Sequence, residues 1–233
     1  MTSTTLSLLV AVLGAALVSA HTIIVYPGWR GDNLVTNATF PYGMQWMYPC
    51  GGMKLTTNRT FWPIGGGAVS FQPGWFQGHA TAQLFINMGF GTDGPDGGPG
   101  NMSNVMVSQF GITGPSKNPY PGTICLPQVP LPANANAKVG DNATIQVVEL
   151  AVHGASLFSC VDITLVDNDD PRLNPVNETN CFNSTDIGFS TLYTIATKVA
   201  TNITSSAGAP STARGSLAVS WLPLLVAGLW LLL

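Results

Sequence analysis

Apolar and polar positions along the middle of this chain alternate in short stretches instead of recurring at helical spacing. Runs rich in Val, Ile, Phe and Thr occur at residues 22–26, 68–72, 80–88, 104–112, 143–152 and 157–166, separated by segments of Gly, Pro and Asn. Thr81-Ala82-Gln83-Leu84-Phe85-Ile86-Asn87 and Thr144-Ile145-Gln146-Val147-Val148-Glu149-Leu150 carry a partial period of two, the pattern of strands with one face on a core. The spacing predicts an all-β chain, folded most economically as an antiparallel β-sandwich. Residues 89–100 (GFGTDGPDGGPG) contain six Gly and two Pro, which cannot sustain a ladder, and read as a long loop. The best short helix falls at 191–200.

Two further apolar runs, one near each end, do not belong to this pattern. Residues 6–20 (LSLLVAVLGAALVSA) are too short to cross a bilayer and end in Val18-Ser19-Ala20, whose small residues suit signal peptidase. Residues 1–20 are therefore expected to be a signal peptide, and the mature chain to begin at His21. Residues 215–233 (GSLAVSWLPLLVAGLWLLL) carry no charge, and the nearest cation, Arg214, precedes them. A stop-transfer helix normally leaves basic residues on its cytoplasmic side. Small residues at Ser205-Ser206-Ala207-Gly208-Ala209, then a polar spacer, then the apolar tail, form the arrangement of a glycosylphosphatidylinositol (GPI) signal. The layout predicted is a signal peptide (1–20), a sandwich (21–190), a stalk (191–206) and an anchor signal (207–233) removed when lipid joins Ser206. The address is the extracellular face of the cell membrane, with the cell wall as a second.

Composition narrows the partners. Of 233 residues 45% are hydrophobic, which rules out disorder, and only 8% are charged, with 8 Lys+Arg against 11 Asp+Glu and a net charge of −3. A chain with so few cations and no run of them has no footprint for nucleic acid or for an anionic membrane surface. Asn-x-Ser/Thr sequons at Asn37, Asn58, Asn101, Asn142, Asn177, Asn183 and Asn202 offer glycans in place of charge to hydrate a secreted surface. Four cysteines, Cys50, Cys125, Cys160 and Cys181, lack zinc spacing and imply two disulfides in an oxidising compartment. Three pairings are open. The preferred one, Cys50 with Cys160 and Cys125 with Cys181, would pin the body of a sheet and fasten the C-terminal segment to it. Hydrolysis is poorly supported, because no acid/base pair of carboxylates is evident and no G-x-S-x-G elbow occurs. Asp167-Asn168-Asp169-Asp170 lacks EF-hand spacing and reads as a solvated turn before Pro171.

The chemistry concentrates in three histidines. Cleavage before His21 would free its α-amino group, and that amine can chelate a metal together with Nδ1 of the same residue. A second imidazole completes three nitrogens in a T shape, which suits tetragonal Cu(II) better than tetrahedral zinc. His79, in Gln77-Gly78-His79-Ala80 at the head of a strong strand, is the preferred donor, and His153, in Val152-His153-Gly154, is assigned a supporting place behind the ligands.

The expected terminal His21, the Gly-His-Ala context of His79, the segment His153-Gly154-Ala155-Ser156-Leu157-Phe158-Ser159-Cys160-Val161-Asp162-Ile163-Thr164, the four cysteines and the GPI signal together resemble the fungal copper acquisition factors. These are relatives of the lytic polysaccharide monooxygenases (LPMOs) that keep the fold and lose the oxidative chemistry. The resemblance covers most of residues 21–181. It implies an immunoglobulin-like β-sandwich holding one Cu(II) in a histidine brace, with nitrogens from His21 and His79 and a carboxylate oxygen from Asp162. An aspartate in the axial place, where LPMOs usually carry Tyr or Phe, would favour Cu(II) over Cu(I) and slow redox cycling. The function implied is non-enzymatic copper capture at the fungal surface by a monomer that passes the ion toward a reductase and importer, or a role in the cell wall and host contact. The alternative is a copper-dependent LPMO cutting chitin or glucan. An exposed plane of aromatics would favour that alternative, since pyranose rings stack on such surfaces. Trp29, Trp46, Trp62 and Trp75 are the candidates.

Overall fold

The computed structural model describes residues 22–31, 45–73, 81–94, 97–114, 122–152, 154–185 and 187–190. The expected signal peptide, His21, His79, His153, Trp75, the sequons at Asn37 and Asn202, the helix at 191–200, the stalk and the anchor signal lie outside the described residues. The chain divides into a body, Met1–Thr194, and a second unit, Ile195–Leu233, that falls wholly outside them.

The described residues of the body form nine strands: β1 (Ile23–Tyr26), β2 (Thr60–Pro63), β3 (Gly67–Gln72), β4 (Thr81–Phe90), β5 (Asn104–Thr113), β6 (Ile124–Val129), β7 (Asn142–Ala151), β8 (Ser156–Val166) and β9 (Gly188–Ser190). They make a three-stranded sheet, β1-β3-β6, and a six-stranded sheet, β2-β8-β7-β4-β5-β9. No described residue is helical. The all-β sandwich is therefore as expected. One pairing is not antiparallel, since β2 runs parallel to β8 from Thr60↔Ile163 to Pro63↔Val166. The two strands are distant in sequence, so no hairpin turn dictates their relative direction.

The period of two read from the sequence is the period of the core. Ala82, Leu84, Ile86 and Met88 of β4, Ala143, Ile145 and Val147 of β7, and Val161, Ile163 and Leu165 of β8 cluster with Ile24, Val69, Phe71, Ile124 and Val129 of the smaller sheet. Burying each large aliphatic side chain contributes roughly 1.5–3 kcal/mol. Trp62 joins this core with no exposed surface, and its indole N–H donates to the carbonyl of Ala68 at 3.3 Å. Gly66, at φ 90°, allows the turn between β2 and β3, where a Cβ would stand 2.5 Å from the carbonyl oxygen of Val129.

The glycine-rich loop starts two residues later than the sequence suggests, at Gly91. Gly89 and Phe90 still pair with Thr144 and Ala143, because the loop folds back over β4. A Cβ at Gly89 would lie 2.6 Å from that of Pro99. Disulfides join Cys50 to Cys160 and Cys125 to Cys181, with Cα separations of 5.2 and 5.0 Å. The first binds the segment before β2 to β8, and the second binds β6 to the segment leading to β9. They link positions 110 and 56 residues apart, and in the chain-entropy model each such closure contributes about 4–5 kcal/mol.

Candidate metal centre

The described neighbours of the three histidines converge on one end of the sandwich. Thr81 opens β4 two residues after His79, Ala82 pairs with Ala151, and Val152 and Gly154 flank His153. Thr22, which follows His21, is fully buried at the same end, where its hydroxyl donates to the carboxylate of Glu149, itself fully buried on β7. The backbone of Thr22 is held as well. Its N–H donates to Oε1 of Gln45, and Nε2 of Gln45 donates to its carbonyl, both at 2.9 Å. Gln45 has no exposed surface and a φ of 56°, a left-handed conformation uncommon outside glycine and Asn or Asp. Its own carbonyl accepts from the N–H of Phe158 at 2.9 Å. The chain is thus fixed from the residue after the expected mature terminus, and a chelating amine and imidazole carried on His21 would start from a rigid base.

Asp162 is placed elsewhere. On β8 it pairs with Thr144 of β7, five residues and roughly 17 Å from the level of Glu149. It also points the other way. Val161 and Ile163 face the core, so strand alternation turns Asp162 to the opposite face of the sheet, whereas Glu149 shares the phase of Ile145 and Val147. Its carboxylate is surrounded by donors. Nη2 of Arg30 donates to Oδ1 at 2.9 Å, and Nε of Arg30 lies 2.8 Å from Oδ2 as an ion-pair contact. The hydroxyl of Thr144 donates to Oδ1 at 2.7 Å and the N–H of Thr56 to Oδ2 at 3.0 Å. The two side chains are 5% and 0% exposed. As a copper ligand Asp162 would have to surrender Arg30 and reach through the sheet, so the oxygen expected from it is not carried into the site proposed below.

Arg172, which follows β8 in the chain, is engaged too. It pairs with Asp170 at 2.7 Å, lies 4.2 Å from the ring centre of Phe61, and holds the carboxyl of Asp170 down to about 2 through its side-chain and backbone hydrogen bonds. The acidic turn at 167–170 closes through the N–H of Asp170 on the carbonyl of Asp167 at 3.2 Å, and Asn168 accepts from the N–H of Gly65 at 2.7 Å. Among the described residues no three His, Cys, Asp or Glu side chains gather as a metal group.

Of the candidate aromatics, Trp62 is core and Trp29 packs half-buried against it. Trp46 is 54% exposed and lies in one turn with Met47 and Tyr48, 44% and 55% exposed. The Tyr48 ring meets Phe158 edge-on at 5.7 Å. Sequence reasoning missed Gln45 and Glu149. Gln45 sits in a segment with no periodicity to read. Glu149 did carry a signal, because it occupies the inward phase of a strand whose other inward residues are apolar.

Together these features define a class of protein: a two-sheet, disulfide-pinned β-sandwich whose first strand is clamped at the end that follows His21. The chain belongs to the BIM1-like copper acquisition factor family, whose description, "Copper acquisition factor BIM1-like", matches residues 19–186. It is 62% identical over 229 residues to the lytic polysaccharide monooxygenase-like protein X325 of Hypocrea jecorina, covering 98% of this chain and 99% of that protein. It is 63% identical over 232 residues to the lytic polysaccharide monooxygenase-like protein ham-7 of Neurospora crassa, covering 97% and 99%. With the X325 protein of Aspergillus fumigatus it shares 52% identity over 234 residues, 93% of each chain. Membership implies copper binding and a copper-related role.

Proposed function

We propose that the mature protein is a non-enzymatic Cu(II) binder, tethered to the outer face of the fungal membrane by a GPI lipid at or near Ser206. One copper ion is held by the amine and imidazole of His21 and the imidazole of His79, with His153 supporting the site from behind the ligands. The observation that carries this reading is the fixing of Thr22 by Gln45 and Glu149, which gives a terminal chelate at His21 a rigid base. The convergence of Thr81, Val152 and Gly154 on the same end supports His79 and His153. The T-shaped nitrogen set suits Cu(II). Captured copper then passes toward a surface reductase and importer, and a cell-wall role uses the same site.

The test is EPR of protein that begins at His21, loaded with one equivalent of Cu(II), alongside a peroxide-production assay with ascorbate. Three-nitrogen coordination with negligible peroxide is expected. Sustained peroxide production would instead favour the oxidative reading, cleavage of chitin or glucan, for which the exposed Trp46 and Tyr48 offer a stacking surface.

Secretion carries an expectation for the sequons. The side-chain oxygens of Asn101 and Asn177 accept from the hydroxyls of Ser103 and Thr179 at 2.7 and 2.6 Å, and both asparagines are exposed. Asn183 uses both ends of its amide on the backbone of Cys125, accepting from its N–H at 2.9 Å and donating to its carbonyl at 3.2 Å. Glycopeptide mapping of secreted protein is expected to find sugar on Asn101 and Asn177 and none on Asn183. A glycan on Asn183 would mean that this pairing with β6 is dispensable.

A further inference from the structure

We infer that Glu149 and Gln45 are positioning residues for the copper ion, acting through Thr22: Gln45 fixes the backbone that carries His21, and the Glu149 carboxylate fixes its rotation and adds a negative charge beside the metal. The inference rests on the proposed brace and deepens it.

Three observations lead to it. Thr22, Gln45 and Glu149 are all fully buried, in contrast to the solvated polar groups common at the end of a sandwich. Gln45 makes the two-way amide pairing that a neighbouring strand would make, and it does so from a left-handed backbone. Such a conformation costs on the order of 1 kcal/mol or more and persists where surrounding structure requires it. Glu149, finally, interrupts an apolar phase. Ile145 and Val147 precede it on the inward face of β7, and Leu84 is its register partner on β4. A leucine there would pack without the cost of burying a carboxylate. One bond it makes, to the hydroxyl of Thr22, links β7 to the residue adjoining His21 across 127 positions of chain.

The two contacts act on different freedoms. Pairing to Gln45 restrains translation of the Thr22 backbone along and across the sandwich. The bond to Glu149 ties the Thr22 side chain to β7 and so restrains the residue from turning about the strand axis. A brace would need both, because His21 would have to present its amine and its imidazole together to an ion also held by His79. Groups that orient metal ligands in this way typically alter affinity 10- to 100-fold when removed. The carboxylate also takes over the electrostatic part once assigned to Asp162, since a negative charge one residue from the ligand favours Cu(II) over Cu(I).

Three substitutions in protein that begins at His21 test this. Thr22→Val keeps the β-branched shape and removes the hydroxyl, and it is expected to weaken Cu(II) binding about tenfold in a chelator competition. Thr22→Ser restores the hydroxyl and should bind within about twofold of the parent. Glu149→Gln keeps an acceptor for Thr22 and removes the charge, so it is expected to leave Cu(II) binding less changed than Thr22→Val does while speeding reduction by ascorbate. A purely structural role for Glu149 would not move that rate.

In copper-free protein the Thr22 amide should be protected from hydrogen exchange, and Thr22→Val should lower its protection. This measurement reports the clamp whether or not copper binds at His21. Folded Thr22→Val protein with parental affinity, EPR spectrum and Thr22 protection would overturn the inference. Failure of the brace itself has a different signature: the parent protein would show no three-nitrogen spectrum while the Thr22 amide stayed protected.

Discussion

Protein carrying one extra residue ahead of His21 is expected to bind Cu(II) about a hundredfold or more weakly than protein that begins there, a difference of roughly 2.8 kcal/mol. The physical reason is local. Joining a residue turns the α-amine into an amide, whose nitrogen is a poor donor until copper displaces its proton. The chelate ring between that nitrogen and Nδ1 of the same imidazole is then lost, leaving two imidazoles from separate segments. The fold should not change, because Thr22 and every residue it touches are untouched. Competition against a chelator of known affinity, with the same protein cleaved to expose His21 as control, measures the effect. Equal affinity for the two forms would place the copper elsewhere on the chain. Metal binding at such a site must also displace protons from amine and imidazoles, so affinity should fall as pH drops through about 6.5, the ordinary imidazole range.

The second large effect concerns Arg30 and Asp162. Replacing either one alone with alanine is expected to cost about 3–5 kcal/mol in denaturant unfolding, because the partner is left charged and unpaired in the interior. Arg30 does more than neutralise Asp162. Its Nη1 donates to the carbonyl of Met53 at 2.9 Å, and its backbone N–H donates to the carbonyl of Cys160 at 2.8 Å. Asp162 in turn accepts from the N–H of Thr56. One ion pair thereby fastens the segment between Cys50 and β2 to the outer face of β8. Arg30→Met combined with Asp162→Leu should recover much of the loss, since no lone charge remains. Asp162→Ala is expected to leave the Cu(II) EPR spectrum unchanged, because the pair lies on the far face of the sheet from Thr22. A changed spectrum with stability intact would return Asp162 to the copper site.

Six of the nine described strands were legible in the sequence because each is a run of β-branched and aromatic residues bounded by Gly, Pro or Asn. The three that were not have physical reasons. β2 is four residues ending in Pro63, β9 is three residues long, and β6 is interrupted by Pro127. Local pattern cannot register strands that exist mainly because a neighbour offers them a ladder. The site shows the same limit in another form. The residues beside His21 and His79 follow from position in the chain, but the partners of Asp162 do not. Arg30 is 132 residues away from it, and nothing in the pattern around either residue announces the pair. An acid in a strand can serve a metal or an arginine, and only the fold decides which.

The strand ends of the two sheets bear on a different matter, the company this protein can keep at high density. An open β-edge is a row of unpaired backbone donors and acceptors to which another copy can add, and charged side chains are a common deterrent. With only 8% charged residues the chain has few to place there. Among the described residues the four outermost strands are β1, of four residues, β6, with Pro127 inside it, β2, closed by Pro63, and β9, of three residues. Brevity and proline make each a poor template. Protection against self-templating is thus built into the backbone, where neither salt nor pH can screen it away.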